Sequence, residues 1–146
     1  MIPILNRFGN LLILKFYARI FSNNAEKSLE LLKLLHPGVP HLRFRFNEWD
    51  LIGIGDILIV GGSDKALASI RGSFGPLIVE DLAETQRILE QSGVEITLPA
   101  TIVPTGIMLY AKHPDGSIVE YVQWTPELIE QLIRRPQSAG RLSSHL

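Results

Sequence analysis

The clearest pattern in the chain lies over 41–46. Leu42, Phe44 and Phe46 alternate with His41, Arg43 and Arg45. Successive side chains of a strand point to opposite faces, so this period of two predicts a strand with an apolar and a basic face. A second alternating run covers Ser117–Gln123, with Ile118, Glu120 and Val122 on one side and Val119 and Tyr121 on the other. Both of its faces are mostly apolar, which predicts that both are covered. Glu120 is the exception, a carboxylate between two aliphatic neighbours. The turn His113-Pro114-Asp115-Gly116 precedes this run: Pro presets φ, Asp bonds its own backbone and Gly takes φ > 0. Ile107–Ala111 completes the hairpin on its other side.

The rest of the chain alternates between the two periods. Met1–Gly9 reads as an irregular arm, and Asn10–Phe21 as one long strand, because a helix-start signal follows it at once. Asn23 with Glu26 three residues later resembles a capping box. A helix from Asn24 to His36 carries Ala25, Leu29, Leu32 and His36 on its buried stripe, widened by Leu31 and Leu35, and Pro37-Gly38 ends it. Strands are predicted at Leu51–Ile54 and Ile57–Val60, with Gly55-Asp56 as the turn between them and one helical turn within Asp64–Ile70. The order then repeats. A strand spans Phe74–Val79, a helix Glu80–Ser92 with Gly93 at C′, and a strand Val94–Leu98, followed by a loop over Pro99–Thr105 and the hairpin. Thr125-Pro126-Glu127 starts a last helix that Pro136 ends.

Composition narrows the function classes. The 146 residues suffice for one domain, or for two small modules sharing a core. A net charge of −1 gives no electrostatic case for nucleic acid or for an anionic membrane. Cys is absent, which excludes disulfides, thiolate metal sites and cysteine nucleophiles. The apolar run Leu11–Phe21 is interrupted by Lys15 and Arg19 and is shorter than the roughly 20 residues of a spanning helix, so a cytoplasmic location is expected. No two of His36, His41, His113 and His145 have helical ligand spacing. Ser69 and Ser73 have no partnered His and Asp in a recognisable arrangement.

Strand, helix and three strands, twice over, make the chain an internal duplication. Matching the helix starts sets Asn24 on Asp81 and Tyr17 on Phe74; matching the last strands sets Ile59 on Glu120. The segments Asn24–Glu30, Val79–Leu82, Gln91–Ile96, Val103-Pro104-Thr105-Gly106 and His113–Tyr121 resemble the glyoxalase/bleomycin-resistance/extradiol-dioxygenase family, the vicinal oxygen chelate superfamily. The resemblance implies an α+β fold in which two βαβββ modules pair into a curved, incomplete β-barrel cup with helices outside. It covers a single domain at 10–124, with modules 10–62 and 74–124. A C-terminal helix at 125–136 and a mobile tail at 137–146 follow. Many members are homodimers, and self-pairing would cover the edges of the curved sheets.

Metal-dependent members of that family hold a divalent ion in the cup with ligands from the first and last strand of each module. By the resemblance those positions fall at Tyr17, Ile59, Phe74 and Glu120. Ile and Phe cannot donate, and neutral Tyr is a poor ligand, so no metal and no cofactor is expected. The expected function is a metal-independent binding protein for a small apolar or aromatic molecule, with a cationic or hydroxyl group meeting Glu120. The alternatives are a lyase, isomerase or dioxygenase with a displaced ligand set, or a structural dimerisation module with a filled cup. Glu120 reads as a ligand-facing acid or as a relic carboxylate satisfied by a nearby cation or by water. Arg43 and Arg45 read as a solvated face or as cations at the cup rim. Trp49, Met108, Tyr110 and Trp124 read as pocket, core or interface.

Overall fold

The computed structural model describes residues 11–138. The arm at 1–9 and most of the tail lie outside the described residues. Nine strands and four helices follow in order: β1 (Ile13–Phe16), β2 (Ala18–Ser22), α1 (Ala25–Leu35), β3 (Leu42–Phe46), β4 (Trp49–Ile54), β5 (Ile57–Gly61), α2 (Asp64–Ala68), β6 (Ser73–Val79), α3 (Leu82–Gln91), β7 (Glu95–Val103), β8 (Gly106–Lys112), β9 (Ile118–Trp124) and α4 (Pro126–Ile129). α4 continues as a π turn at Glu130–Arg134.

The two modules have the same topology. β2-β5-β4-β3 forms one sheet and β6-β9-β8-β7 forms the other, which gains β1 beside β6. In each, the first strand runs parallel to the last and the other pairs are antiparallel. The predicted long strand at Asn10–Phe21 is two strands, and the break at Tyr17 joins the sheets. β1 pairs with β6, whereas β2 pairs with β5. At the break, Tyr17 N–H donates to Pro76 O at 3.1 Å and Ala18 N–H to Asp56 O at 2.8 Å, so one residue bonds each module. The predicted loop at Pro99–Thr105 is also mostly strand: β7 runs through Pro99 to Val103, tolerating the proline because β7 is an edge strand.

The helix caps follow from local chemistry. Asn24 rather than Asn23 caps α1, its Oδ1 accepting from Lys27 N–H, and Asp81 caps α3 in the same way toward Glu84 N–H. α1 buries Ala25, Leu29 and Leu32 against Ile52, Ile54 and Ile59; α3 lies over Val79, Leu109, Ala111 and Tyr121. Leu31, Leu35 and His36, expected on the buried stripe, are exposed instead, because the covered face is only one sheet wide. Between the sheets a third cluster holds Tyr17, Leu58, Val60, Ile78, Met108, Val122 and Trp124, closed at one end by Ile129 and Ile133 of the last helix. That helix does not stop at Pro136 but runs through Ser138. The π turn before it widens the hydrogen-bonding pattern where the proline has no N–H to give.

Candidate functional site

The concave space between the sheets is a cavity of about 460 Å³. From the first module come Leu42, Phe44 and Phe46 on β3, Trp49 and Leu51 on β4, and Leu58 and Val60 on β5. The apolar face of 41–46 therefore points inward. Arg43 and Arg45 point outward, where they pair with Glu26 and Asp50 and stay more than half exposed. Trp49 is fixed by its Nε1–H, which donates to Ala66 O at 2.8 Å, and its ring meets Phe46 at 6.1 Å.

The second module supplies Ser73 and Pro76 on β6, Met108 and Tyr110 on β8, and Ile118, Glu120, Val122 and Trp124 on β9. Glu120 meets the one charged cavity residue of the first module, Arg19 on β2. Arg19 Nη2 donates to Glu120 Oε1 at 2.5 Å, and Nη1 donates to Ser73 Oγ at 2.5 Å. The Ser73 hydroxyl donates onward to Ile70 O at 2.6 Å. Tyr110 stands opposite Glu120 in the β8–β9 ladder, on the same face of the sheet. The side chains of Arg19 and Glu120 are 6% and 16% exposed, so the pair is largely withdrawn from water. Burial pushes the Glu120 carboxyl up from its ordinary value, opposed by the charge and hydrogen bond of Arg19 and by the Tyr110 hydroxyl. Burial, and then the field of Glu120, raise the Tyr110 hydroxyl.

Of the four positions expected in the cup, Tyr17 and Glu120 line the cavity; Ile59 and Phe74 do not. Ile59 is fully buried against α1 on the convex side. Side chains alternate along a strand, and β5 faces the cavity with Leu58 and Val60, so matching Ile59 to Glu120 was one residue out of phase. Phe74 is 61% exposed, and the cavity side of β6 carries Ser73 and Pro76. The bulge between Phe74 and Leu77 shifts the inward face there. Glu120, read as either a ligand-facing acid or a carboxylate satisfied by a nearby cation or by water, has such a cation, because Arg19 reaches it from the other module. The available signal was a lone arginine inside an otherwise apolar strand.

Tyr17 sits at the seam. Its hydroxyl is 2.6 Å from His41 Nε2, and its ring lies 6.1 Å from Trp124. Lys15 stands 4.6 Å over the Tyr17 ring and pairs with Asp56. Burial, helped by Asp56, raises the Tyr17 hydroxyl well above its ordinary value. Burial, helped by Lys15, lowers the His41 ring. A neutral imidazole accepting from a neutral phenol fits both directions.

No family model matches the chain, and no curated protein does. Solved structures do. One is an uncharacterised protein from Methanosarcina mazei, with 32% identity over 77% of this chain and 94% of that one, at a TM-score of 0.73. Methylmalonyl-CoA epimerase from Mycobacterium tuberculosis is similar in fold, with 16% identity over 89% of this chain and 97% of that one, at a TM-score of 0.63. A methylmalonyl-CoA epimerase in complex with methylmalonyl-CoA and NH4+ has 14% identity over 79% and 96%, at 0.58. Paired βαβββ modules around a cup define the glyoxalase fold. The chain shares this fold with these structures, and it is the fold that its resemblance to the glyoxalase/bleomycin-resistance/extradiol-dioxygenase superfamily, the vicinal oxygen chelates, implies.

The divalent ion of that superfamily's metal enzymes does not fit these residues. Among the described residues no three His, Cys, Asp or Glu side chains gather to hold one. The one carboxylate facing the cavity already has a guanidinium 2.5 Å away, and a divalent cation there would face a fixed positive charge.

Proposed function

We propose that the protein binds a small, largely apolar molecule in the cup without a bound metal. The observation that carries this reading is the cavity's division of labour. A mostly apolar and aromatic lining, with Asn47, Ser69, Thr97, Thr101 and Thr105 set into it, holds the cavity's charged pair in one cluster, Arg19, Ser73, Tyr110 and Glu120. Sites for small molecules have this composition and run to roughly 300–1,000 Å³. Arg19 takes the place beside Glu120 that an ion would otherwise fill. The cluster offers hydrogen bonds and fixed charge in place of Lewis acidity.

Titration with the neutral fluorophore N-phenyl-1-naphthylamine tests the reading. The expected result is saturable, displaceable binding to the wild-type chain that is lost in Thr101→Trp. Thr101 lies half-buried on the cavity wall, so the larger ring fills the cup with little demand on the core. Binding that survives the substitution would place the probe on the outer surface and contradict the reading. A cup that takes up no probe in either protein would favour the filled structural module.

A further inference from the structure

We infer that the cup selects uncharged aromatic molecules bearing a hydrogen-bonding oxygen, and discriminates against aromatic acids and aromatic ammonium ions. The inference rests on the cup being a binding site and adds the class of compound that the site accepts.

The charge balance of the polar cluster carries it. Arg19 and Glu120 lie 2.5 Å apart with side chains 6% and 16% exposed, in a cavity whose other walls are mostly apolar. Their charges cancel. A ligand carboxylate reaching Arg19 would leave two anions facing one cation. A ligand ammonium reaching Glu120 would leave two cations facing one anion. Either leaves one charge uncompensated where little water reaches, which is the costly way to bury a charge. A neutral oxygen meets no such penalty. A guanidinium has more N–H donors, and a carboxylate more lone pairs, than their own contact and Ser73 use. A ligand hydroxyl can therefore accept from the first and donate to the second.

The preference for rings comes from the facing wall. Phe44, Phe46, Trp49 and Trp124 line the cavity, and Trp49 is held in place through Ala66 O. Flat faces on a fixed wall favour a flat ligand, because aromatic pairs gain from stacked or edge-on contacts beyond the area they bury.

The test compares 2-naphthol, 2-naphthoate, 2-(aminomethyl)naphthalene and naphthalene at neutral pH, by calorimetry or by displacement of N-phenyl-1-naphthylamine. The expected order puts 2-naphthol first, with the acid and the ammonium at least about 10-fold weaker, a difference of about 1.4 kcal/mol. Tyr110→Phe should narrow the gap between 2-naphthol and naphthalene. Arg19→Met/Glu120→Leu should close it, with folding checked by circular dichroism. Naphthoate or the ammonium binding as tightly as 2-naphthol would overturn the inference while leaving the cup a binding site. So would a naphthol preference that survives both variants. Saturable binding by none of the four would remove the binding reading itself, and the inference with it.

Discussion

The two modules share a topology and differ in what they offer the cavity. The first gives a nearly unbroken apolar wall, Leu42, Phe44, Phe46, Leu51, Leu58 and Val60, and a single charge, Arg19. The second gives the polar groups, Ser73, Tyr110 and Glu120. Neither set is stable in the cup alone. A buried carboxylate without a cation would neutralise, and a buried guanidinium cannot. The Arg19–Glu120 contact, which crosses between the modules, satisfies both, so the duplication has become a complementary pair rather than two copies of one half-site.

Breaking that contact from one side should have the largest effect. Arg19→Met leaves Glu120 buried and unpaired, and Glu120→Gln leaves Arg19 so. Loss of one partner of a buried pair costs about 3–5 kcal/mol. The acid variant of the pair has an escape that the base does not, because Glu120 can take a proton. Arg19→Met should therefore cost less than Glu120→Gln. The double variant Arg19→Met/Glu120→Leu should recover most of the loss. Urea denaturation checks all three, and a double variant as unstable as the sum of the singles would mean that the pair is not coupled.

The hairpin turns sharpen the comparison. In the first module Asn47 takes φ 55, which asparagine tolerates. In the second, a Cβ on Gly106 would lie 2.0 Å from Gln123 O, at φ +150. Gly106→Ala should cost about 3 kcal/mol, at the upper end of overpacking effects, because the obstacle is backbone. Asn47→Gly should change little. Gly116→Val comes next. φ is +98 there with no atom nearby, so strain alone should cost about 1 kcal/mol. Unchanged denaturation midpoints for either glycine variant would contradict the corresponding turn.

The smallest effect is with pH, and its sign follows from burial. The folded His41 ring has a pKa below its ordinary value of 6.5. The unfolded chain thus takes up the proton first, and stability present above about 6.5 declines as the pH falls through the folded value. Glu120 has the opposite sign. Its folded pKa is raised, so its contribution is full below about 4.5 and declines as the pH rises through the folded value. His41→Gln should flatten the decline below 6.5 in a thermal-denaturation series; an unaltered slope would assign it to other groups.

Much of the fold was legible because local chemistry dictates it. The cap at Asp81, the hairpin at Gly116 and the alternation at 41–46 each have one mechanical reading, whereas the first helix begins one residue past the capping signal read at Asn23. What was not legible depended on register. A side-chain period of two makes any one-residue error invert the face, which misplaced Ile59. The Gly75-Pro76 bulge did the same for Phe74. The break at Tyr17 left no breaker residue in the sequence; only the switch of hydrogen-bond partners from β6 to β5 reveals it. Arg19 was visible as a charge in an apolar run, but its partner lies 101 residues away and in the other module.

The claim that a guanidinium replaces an ion beside Glu120 is tested most directly by elemental analysis of protein purified without chelators or a metal-affinity tag, paired with thermal melts in added zinc, manganese and nickel. The account predicts substoichiometric metal and no gain in melting temperature, whereas an ion bound only to the folded state at a hundred times its dissociation constant would add about 2.7 kcal/mol. Near-stoichiometric zinc, iron, manganese or nickel that Glu120→Ala removes would contradict it.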